Sequence, residues 1–227
     1  LAIAAALFAA ADSIAQTFVV APDNAALSQP AATNLAWRDS TSGFRSQFVY
    51  DSSHFTNMGV SGPCVIRRLR FRAADGSTAA GGSYPGDGVT TGITLDIGTA
   101  ATDHANVGVT FAANRGAMQN VATFATVNCA AGAGLAPNNY AIDIAIPGGF
   151  AYDPTLGQDL LIDVTGPDFL GTLPNFAAGV SLAQSRCNRV AGVPAGAVVG
   201  TITPGQCPAV VFDITGPGGI PGDGAGS

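Results

Sequence analysis

Lysine and glutamate are absent from all 227 residues of this chain. Its cations are therefore nine arginines, and its carboxylates are fifteen aspartates. Lysine and glutamate are strong helix formers that usually cover exposed helices, whereas aspartate favours caps and turns. The lack of glutamate also removes a residue that is common in glycosidase chemistry. These absences argue against a helical protein and against many kinds of catalysis.

Charge of either sign is scarce. Charged residues make up 11% of the chain and hydrophobic residues 47%, against an average charged share of about a quarter. The net charge is −6, and nucleic-acid binding depends mainly on basic residues, so we expect no nucleic-acid partner. Glycine (30) and proline (14) are abundant between short runs rich in Val, Ile, Thr and Phe. This pattern indicates strands joined by turns.

The two ends differ in composition from the rest. Residues 1–15 (LAIAAALFAAADSIA) have the short apolar core and the small residues of a secretory signal, with a cut expected before Gln16. A buried alanine-rich helix is the alternative. Residues 216–227 (GPGGIPGDGAGS) predict a flexible tail. We therefore expect one domain over 16–215, no transmembrane segment, and bacterial export by the general secretory route to the medium or cell surface.

Four cysteines in an exported chain predict two disulfides. Three pairings are possible. Cys64–Cys129 with Cys187–Cys207 is favoured, because the second pair closes one local segment rich in Pro and Gly. A zinc site is disfavoured by the wide spacing, the lack of CxxC and the presence of only two histidines.

Alternation of apolar and polar residues predicts an all-β fold. The pattern is clear at 45–51, 64–73, 139–146 and 158–165, and further strands are expected elsewhere, including 107–112 and 177–183. Short strands at this spacing indicate one antiparallel, jelly-roll-like β-sandwich. Two packed smaller sheets are the alternative.

Three arginines form the most concentrated charge in the chain. In the strand at 64–73, Val65, Leu69 and Phe71 lie on one predicted face, and the other face carries Arg68, Arg70 and Arg72. These arginines have two interpretations: they bind an acidic polysaccharide, or they pair with Asp on neighbouring strands. Arg67 breaks the alternation, which indicates a bulge or a buried ion pair. Aromatic residues that could stack on sugars are Trp37, Tyr84 and Tyr152.

Catalytic residues are not predicted. Asp51-Ser52-Ser53-His54 holds the residue types of a nucleophilic triad, but such residues normally converge from distant segments, so a turn at the end of a strand is preferred. Strand-borne carboxylates could form a hydrolytic pair, although outward solvated faces explain them more simply: Asp96, Asp143, Asp159, Asp163 and Asp213. No cofactor is expected. Calcium could bind at 152–159 or in the loop with Asp75 and Asp87, but neither matches a defined calcium loop.

Three segments resemble a group of uncharacterised secreted bacterial proteins: 48–76, 95–117 and 148–166. In that group a segment F-x-Y-P/D-x-x-G-x-x-L-L-x-D-V recurs, often ahead of a C-terminal sorting or anchoring signal. The resemblance implies a surface-exported β-sandwich and carries over no catalytic residue.

Three functions follow as expectations, in order of preference. The first is a non-enzymatic extracellular structural or surface-layer protein that self-associates, because a surface with little charge lacks the usual protection against contact between copies. The second is a carbohydrate-binding module for cell-wall or matrix polysaccharide. The third is an Asp-dependent hydrolase.

Overall fold

The computed structural model describes residues 17–26, 31–33, 43–72, 83–85, 92–124, 126–128, 140–167, 176–178 and 182–216. The predicted signal peptide and nearly all of the predicted tail lie outside these residues. Trp37, Asp75, Asp87 and Cys129 also lie outside them.

The described residues form fourteen strands and three short α-helices, with three single turns of 3-10 helix at Asp23–Ala25, His104–Asn106 and Pro154–Leu156. The strands are β1 Thr17–Ala21, β2 Ala31–Thr33, β3 Phe44–Tyr50, β4 Cys64–Arg72, β5 Ser83–Pro85, β6 Ile93–Ala100, β7 Arg115–Phe124, β8 Thr126–Asn128, β9 Tyr140–Tyr152, β10 Leu160–Gly166, β11 Phe176–Ala178, β12 Cys187–Gly192, β13 Thr201–Pro204 and β14 Val210–Thr215. The helices are α1 Ser53–Asn57, α2 Phe111–Asn114 and α3 Leu182–Ser185. Within the described part of the chain, none of them has the length and apolar character to cross a bilayer.

Two antiparallel sheets make up the body of the fold. The four-stranded sheet has the order β1-β14-β4-β9, and the six-stranded sheet has the order β13-β12-β3-β10-β6-β7. Two small pairs, β2 with β11 and β5 with β8, are also antiparallel. The predicted all-β antiparallel sandwich is confirmed. Its jelly-roll-like connectivity stays a prediction.

The main core lies between the two large sheets. Alternate residues of each strand face inward, as the period of two requires. The four-stranded sheet contributes Ile66, Leu69, Phe71, Ile142, Ile144, Ile146 and Phe212. The six-stranded sheet contributes Phe44, Phe48, Leu95, Ile97, Leu160, Ile162 and Val164. Large branched and aromatic side chains therefore fill the space between the sheets.

A second, smaller core covers the outer face of the six-stranded sheet. Val49, Leu161 and Val190 point away from the main core and pack against residues of two covering segments, 101–114 and 193–200. Val107 and Phe111 come from the first segment and Ala197 from the second. As a result β10 is buried on both faces, although its alternation predicts a half-exposed strand.

Several sequence predictions about local structure need correction. Residues 107–110 are a loop that leads into α2, and the described residues within 177–183 are the end of β11 and the start of α3. The sequence pattern predicts neither β12 nor β13. In β4 the pairing with β9 shifts between Ile66 and Arg68, so Arg67 sits at a bulge and the core takes Ile66 in place of Val65.

Candidate functional site

The arginines of β4 are engaged by carboxylates on the two neighbouring strands. Half-exposed Arg68 hydrogen-bonds to Asp143 on β9 at 3.0 Å and lies 3.8 Å from the carboxylate of Asp213 on β14. Arg70 also pairs with Asp213, and its guanidinium lies 4.5 Å from the ring centre of Tyr140. Arg68 and Arg70 are therefore arranged as the second interpretation of the β4 arginines expects, in which they pair with Asp on neighbouring strands.

Arg72 does not share the solvent-facing surface predicted for it. Its side chain is fully buried, and Nη1 donates a hydrogen bond to the carbonyl of Ala25. The short 3-10 turn at Asp23–Ala25, which follows β1, brings that carbonyl to the end of β4. The predicted three-arginine binding face is therefore wrong at this position.

Of the aromatic residues proposed for sugar stacking, Tyr152 is the one whose side chain the structure describes. Tyr152 is buried, its hydroxyl donates to the carbonyl of Gln158 at 2.7 Å, and its ring packs edge-on against Phe55 at 5.0 Å. Burial raises the pKa of Tyr152. Tyr84 lies in β5, and Trp37 is outside the described residues. Tyr152 is therefore a core residue, which corrects the prediction.

The segment from Asp51 to His54 is not a nucleophilic triad. Ser53 and His54 belong to α1, where the sequence suggests a turn. The Ser53 hydroxyl accepts a hydrogen bond from Arg186 at 3.0 Å, while His54 Nδ1 accepts from the backbone N–H of Asp23 at 3.2 Å. His54 Nε2 also lies 3.1 Å from the carbonyl oxygen of Arg186. Both side chains therefore tie α1 to Arg186, and the hydroxyl of Ser53 is bonded to that arginine and not to His54.

A cluster around His104 is the described group that could hold a metal. The ligand atoms of Asp51, His104 and Asp159 all lie within 4.8 Å of one another. His104 Nδ1 lies 3.0 Å from Asp159, whose carboxylate also accepts from the backbone N–H groups of Ser52 and His104. Burial lowers the pKa of His104, but the hydrogen bond to Asp159 and the charges of Asp51 and Asp103 raise it overall. The 3.0 Å contact between His104 and Asp159 is also that of a hydrogen-bonded His–Asp pair, an arrangement that needs no metal.

The remaining candidate carboxylates are also held by neighbouring groups. Asp163 accepts hydrogen bonds from Arg45, Gln47 and Arg115. Arg115 also reaches Asp96 at 2.7 Å. In the predicted calcium loop, Asp153 caps a 3-10 turn and accepts from the backbone and hydroxyl of Thr155.

The described cysteines are free thiols. Cys64, Cys187 and Cys207 are all buried, and Cys129 lies outside the described residues. Cys187 and Cys207 both lie in the main core, and burial raises the pKa of Cys207, to which the neighbouring Cys187 also contributes. The predicted Cys187–Cys207 disulfide is therefore not formed in this structure, although the two residues are neighbours.

A cleft of about 450 Å³ lies where β3, β12 and β13 meet the segment 192–200. Its polar lining is Arg45, Ser46, Arg189, Thr201 and Thr203, and its apolar lining includes Phe44, Val193 and Val199. Ser46 and Arg189 are buried, and Arg189 Nη2 donates to the hydroxyl of Thr203 at 3.3 Å.

Four exposed valines lie in and beside this cleft, and we call them the valine patch: Val109, Val193, Val198 and Val199. Backbone hydrogen bonds hold them in place, from Phe111 to Val198 at 3.1 Å and from Gly200 to Val109 at 2.8 Å. They account for four of the six large apolar residues that are exposed among the described residues. A contiguous group of exposed apolar side chains can serve as an interaction surface.

Comparisons with known proteins do not extend this description. No protein-family model, no curated protein and no solved structure matches this chain. The resemblance to secreted bacterial proteins stays a hypothesis.

Sequence reasoning missed both the cleft and the valine patch. Arg189 and Thr203 lie on strands that the sequence pattern does not predict, so the sequence did not place them next to β3. Val198-Val199 is a short apolar pair in a segment rich in Gly and Pro, and it could have been noted as exposed.

Proposed function

We propose that this protein is an exported, non-enzymatic structural component of the cell surface or extracellular matrix that works by self-association. The observation that carries the proposal is the valine patch. Its members are 45% to 72% exposed and are held on hydrogen-bonded backbone. Covering such a side chain contributes roughly 1 to 2 kcal/mol, before the entropy cost of association is subtracted.

The edge of the six-stranded sheet gives further support. Strand β7 forms one edge, and from Gly116 to Phe124 it has no charged residue and no proline. Edge strands of monomeric proteins are commonly protected by charge or proline. The scarcity of charge in this chain therefore includes an edge strand, where the lack of charge favours pairing between copies of the protein.

A hydrolase is less well supported, because the carboxylates that converge are already engaged. Asp51 and Asp159 face His104, and Asp163 faces two arginines. These contacts serve ion pairing within the fold. They favour the structural proposal over Asp-dependent hydrolysis.

The test is the oligomeric state, measured by light scattering after size exclusion and by negative-stain microscopy. We expect oligomers or filaments from the unmodified chain and dissociation in Val198→Asp. Leu156→Asp is the matched control, because Leu156 is 71% exposed, like Val198 at 72%, but lies outside the patch. A monomeric unmodified chain, or equal effects of both substitutions, would contradict the proposal.

A further inference from the structure

We propose that Asp51, His104 and Asp159 bind a divalent transition-metal ion, with Zn²⁺ the best match, which fastens the segment 101–114 to the six-stranded sheet. This inference goes beyond self-association, because it assigns a structural metal site to the protein. Asp51 follows the end of β3, Asp159 precedes β10, and His104 comes from the segment that covers the sheet. An ion at this point would join three segments that are distant in the chain.

The ligand atoms are spaced as in a coordination shell. Metal bonds to histidine nitrogen and carboxylate oxygen are about 2.0 to 2.2 Å long, so neighbouring ligand atoms lie roughly 2.8 to 3.6 Å apart. His104 Nδ1 lies 3.0 Å from Asp159 and 3.5 Å from Asp51. All three ligand atoms lie within 4.8 Å of one another. The three side chains can therefore ligate one ion with small movements.

The negative charge at this cluster exceeds what the histidine can balance. Asp51, Asp103 and Asp159 each approach His104 Nδ1 within 3.5 Å. One N–H group satisfies one carboxylate well, and an imidazolium carries a single positive charge. The arginine ion pairs of the described residues go to other carboxylates: Asp23, Asp96, Asp143, Asp163 and Asp213. A hydrogen bond between His104 and Asp159 alone leaves the excess in place, whereas a divalent cation removes most of it.

Backbone N–H groups hold both carboxylates in position. One oxygen of Asp51 accepts from the N–H of Ser53 at 2.7 Å, and its other oxygen faces His104. Asp159 accepts from the N–H of Ser52 at 3.0 Å through one oxygen and faces His104 with the other. Such outer contacts orient metal ligands before the ion arrives.

Two buried oxygens beside the cluster give independent support. Asn188 is 3% exposed, its amide nitrogen donates to the carbonyl of His104 at 3.2 Å, and its Oδ1 has no hydrogen-bond partner among the described residues. The hydroxyl of Thr102, two residues before His104, is also buried without a partner there. A buried polar atom without a partner is costly. Water bound to an ion in the cluster is a donor from which such oxygens can accept.

The donor set selects the kind of ion. Imidazole suits Zn²⁺ and similar transition metals, whereas Ca²⁺ and Mg²⁺ prefer sites made of oxygen alone. One imidazole with two carboxylates therefore favours Zn²⁺. The wide cysteine spacing that disfavours a zinc site in the sequence does not bear on these ligands, because none of them is a thiolate.

Calorimetric titration of the full chain with Zn²⁺ at pH 8, after treatment with a chelator, tests the inference. We expect Zn²⁺ to bind at least about tenfold more tightly than Ca²⁺ or Mg²⁺. Asp51→Asn keeps the volume but removes a charged ligand, so it should weaken Zn²⁺ binding at least about tenfold. The matched control is Asp23→Asn, which should bind Zn²⁺ as the unmodified chain does. Asp23 also faces a histidine, at 3.3 Å, and its side chain is 18% exposed, against 21% for Asp51.

Two measurements on the unmodified chain decide the question if Asp51→Asn does not fold. Zn²⁺ should slow amide hydrogen exchange within 101–114, and Ca²⁺ should not. Co²⁺ in place of Zn²⁺ should show no thiolate charge-transfer absorption, because no cysteine is among the ligands. No Zn²⁺ binding, equal losses in Asp51→Asn and Asp23→Asn, thiolate absorption, or unchanged exchange within 101–114 would overturn the inference. The oligomeric state of Val198→Asp does not enter any of these readouts.

Discussion

Replacing Asp163 with asparagine tests how strongly the buried ion pairs hold the six-stranded sheet. The Asp163 side chain is 2% exposed, and its carboxylate accepts four hydrogen bonds of 2.7 to 3.2 Å from Arg45, Gln47 and Arg115. Asparagine has nearly the same volume, so the substitution removes charge without opening a cavity. Breaking a buried ion pair costs about 3 to 5 kcal/mol.

The lower end of that range applies here. The side chains of Arg45 and Arg115 are 19% and 29% exposed, so water partly compensates for their lost partner. We therefore expect Asp163→Asn to lower the free energy of unfolding by about 3 kcal/mol. The control is Asp143→Asn, whose pair with Arg68 is about half exposed on both sides and is worth less than about 1 kcal/mol.

Urea denaturation followed by circular dichroism measures both variants against the unmodified chain. The slope of unfolding free energy against urea should stay constant, so that the shift in midpoint reports stability alone. Losses within about 1 kcal/mol of each other would refute the reasoning, since burial would then not decide the strength of these pairs.

Two further predictions concern titration and oxidation. Because the pKa of His104 is raised in the fold, its stabilisation is complete below about pH 6.5 and is lost as pH rises through the folded value. His104→Gln should therefore reduce the fall in melting temperature as pH rises above about 6.5. A curve of melting temperature against pH that is the same in both proteins would show that His104 does not cause this fall. Oxidised glutathione should link Cys187 to Cys207, which are neighbours in the main core, and stabilise the fold by about 3 kcal/mol. Recovery of both as free thiols in an unreduced digest would contradict this.

The fold class could be predicted from the sequence because apolar and polar residues alternate along any strand that has one buried face. Ile142, Ile144 and Ile146 on β9 are predicted as one face and are found together in the core. The same holds for Leu69 and Phe71 on β4. These strands need only the period of two to be recognised.

Burial that is caused by distant segments of the chain could not be predicted from the sequence. Arg72 is predicted to be exposed, but the turn after β1 covers it. Asp163 is predicted on the polar side of β10, but α2 and the segment 193–200 form a second core on that face. No local pattern in either strand records which part of the chain will lie over it.

The cleft at β3, β12 and β13 could not be predicted from local sequence patterns either. Arg189 sits in CNRVAG, where polar residues interrupt the apolar pattern, so the pattern does not predict β12. The cleft exists because β12 pairs with β3 on one side and β13 on the other. Its residues are therefore assembled by sheet pairing and not by spacing along the chain.

The placement of the arginines also determines how the protein withstands proteolysis. Trypsin cleaves after Lys or Arg, and this chain offers arginine alone. Among the described arginines, all but Arg186 lie within strands, four of them in β4 at the interior of its sheet. A protease needs a locally unfolded segment, so cleavage at these strand positions requires the sheets to open. Lysine-specific proteases and amine-directed cross-linkers find no lysine side chain to attack, which suits the extracellular role proposed above.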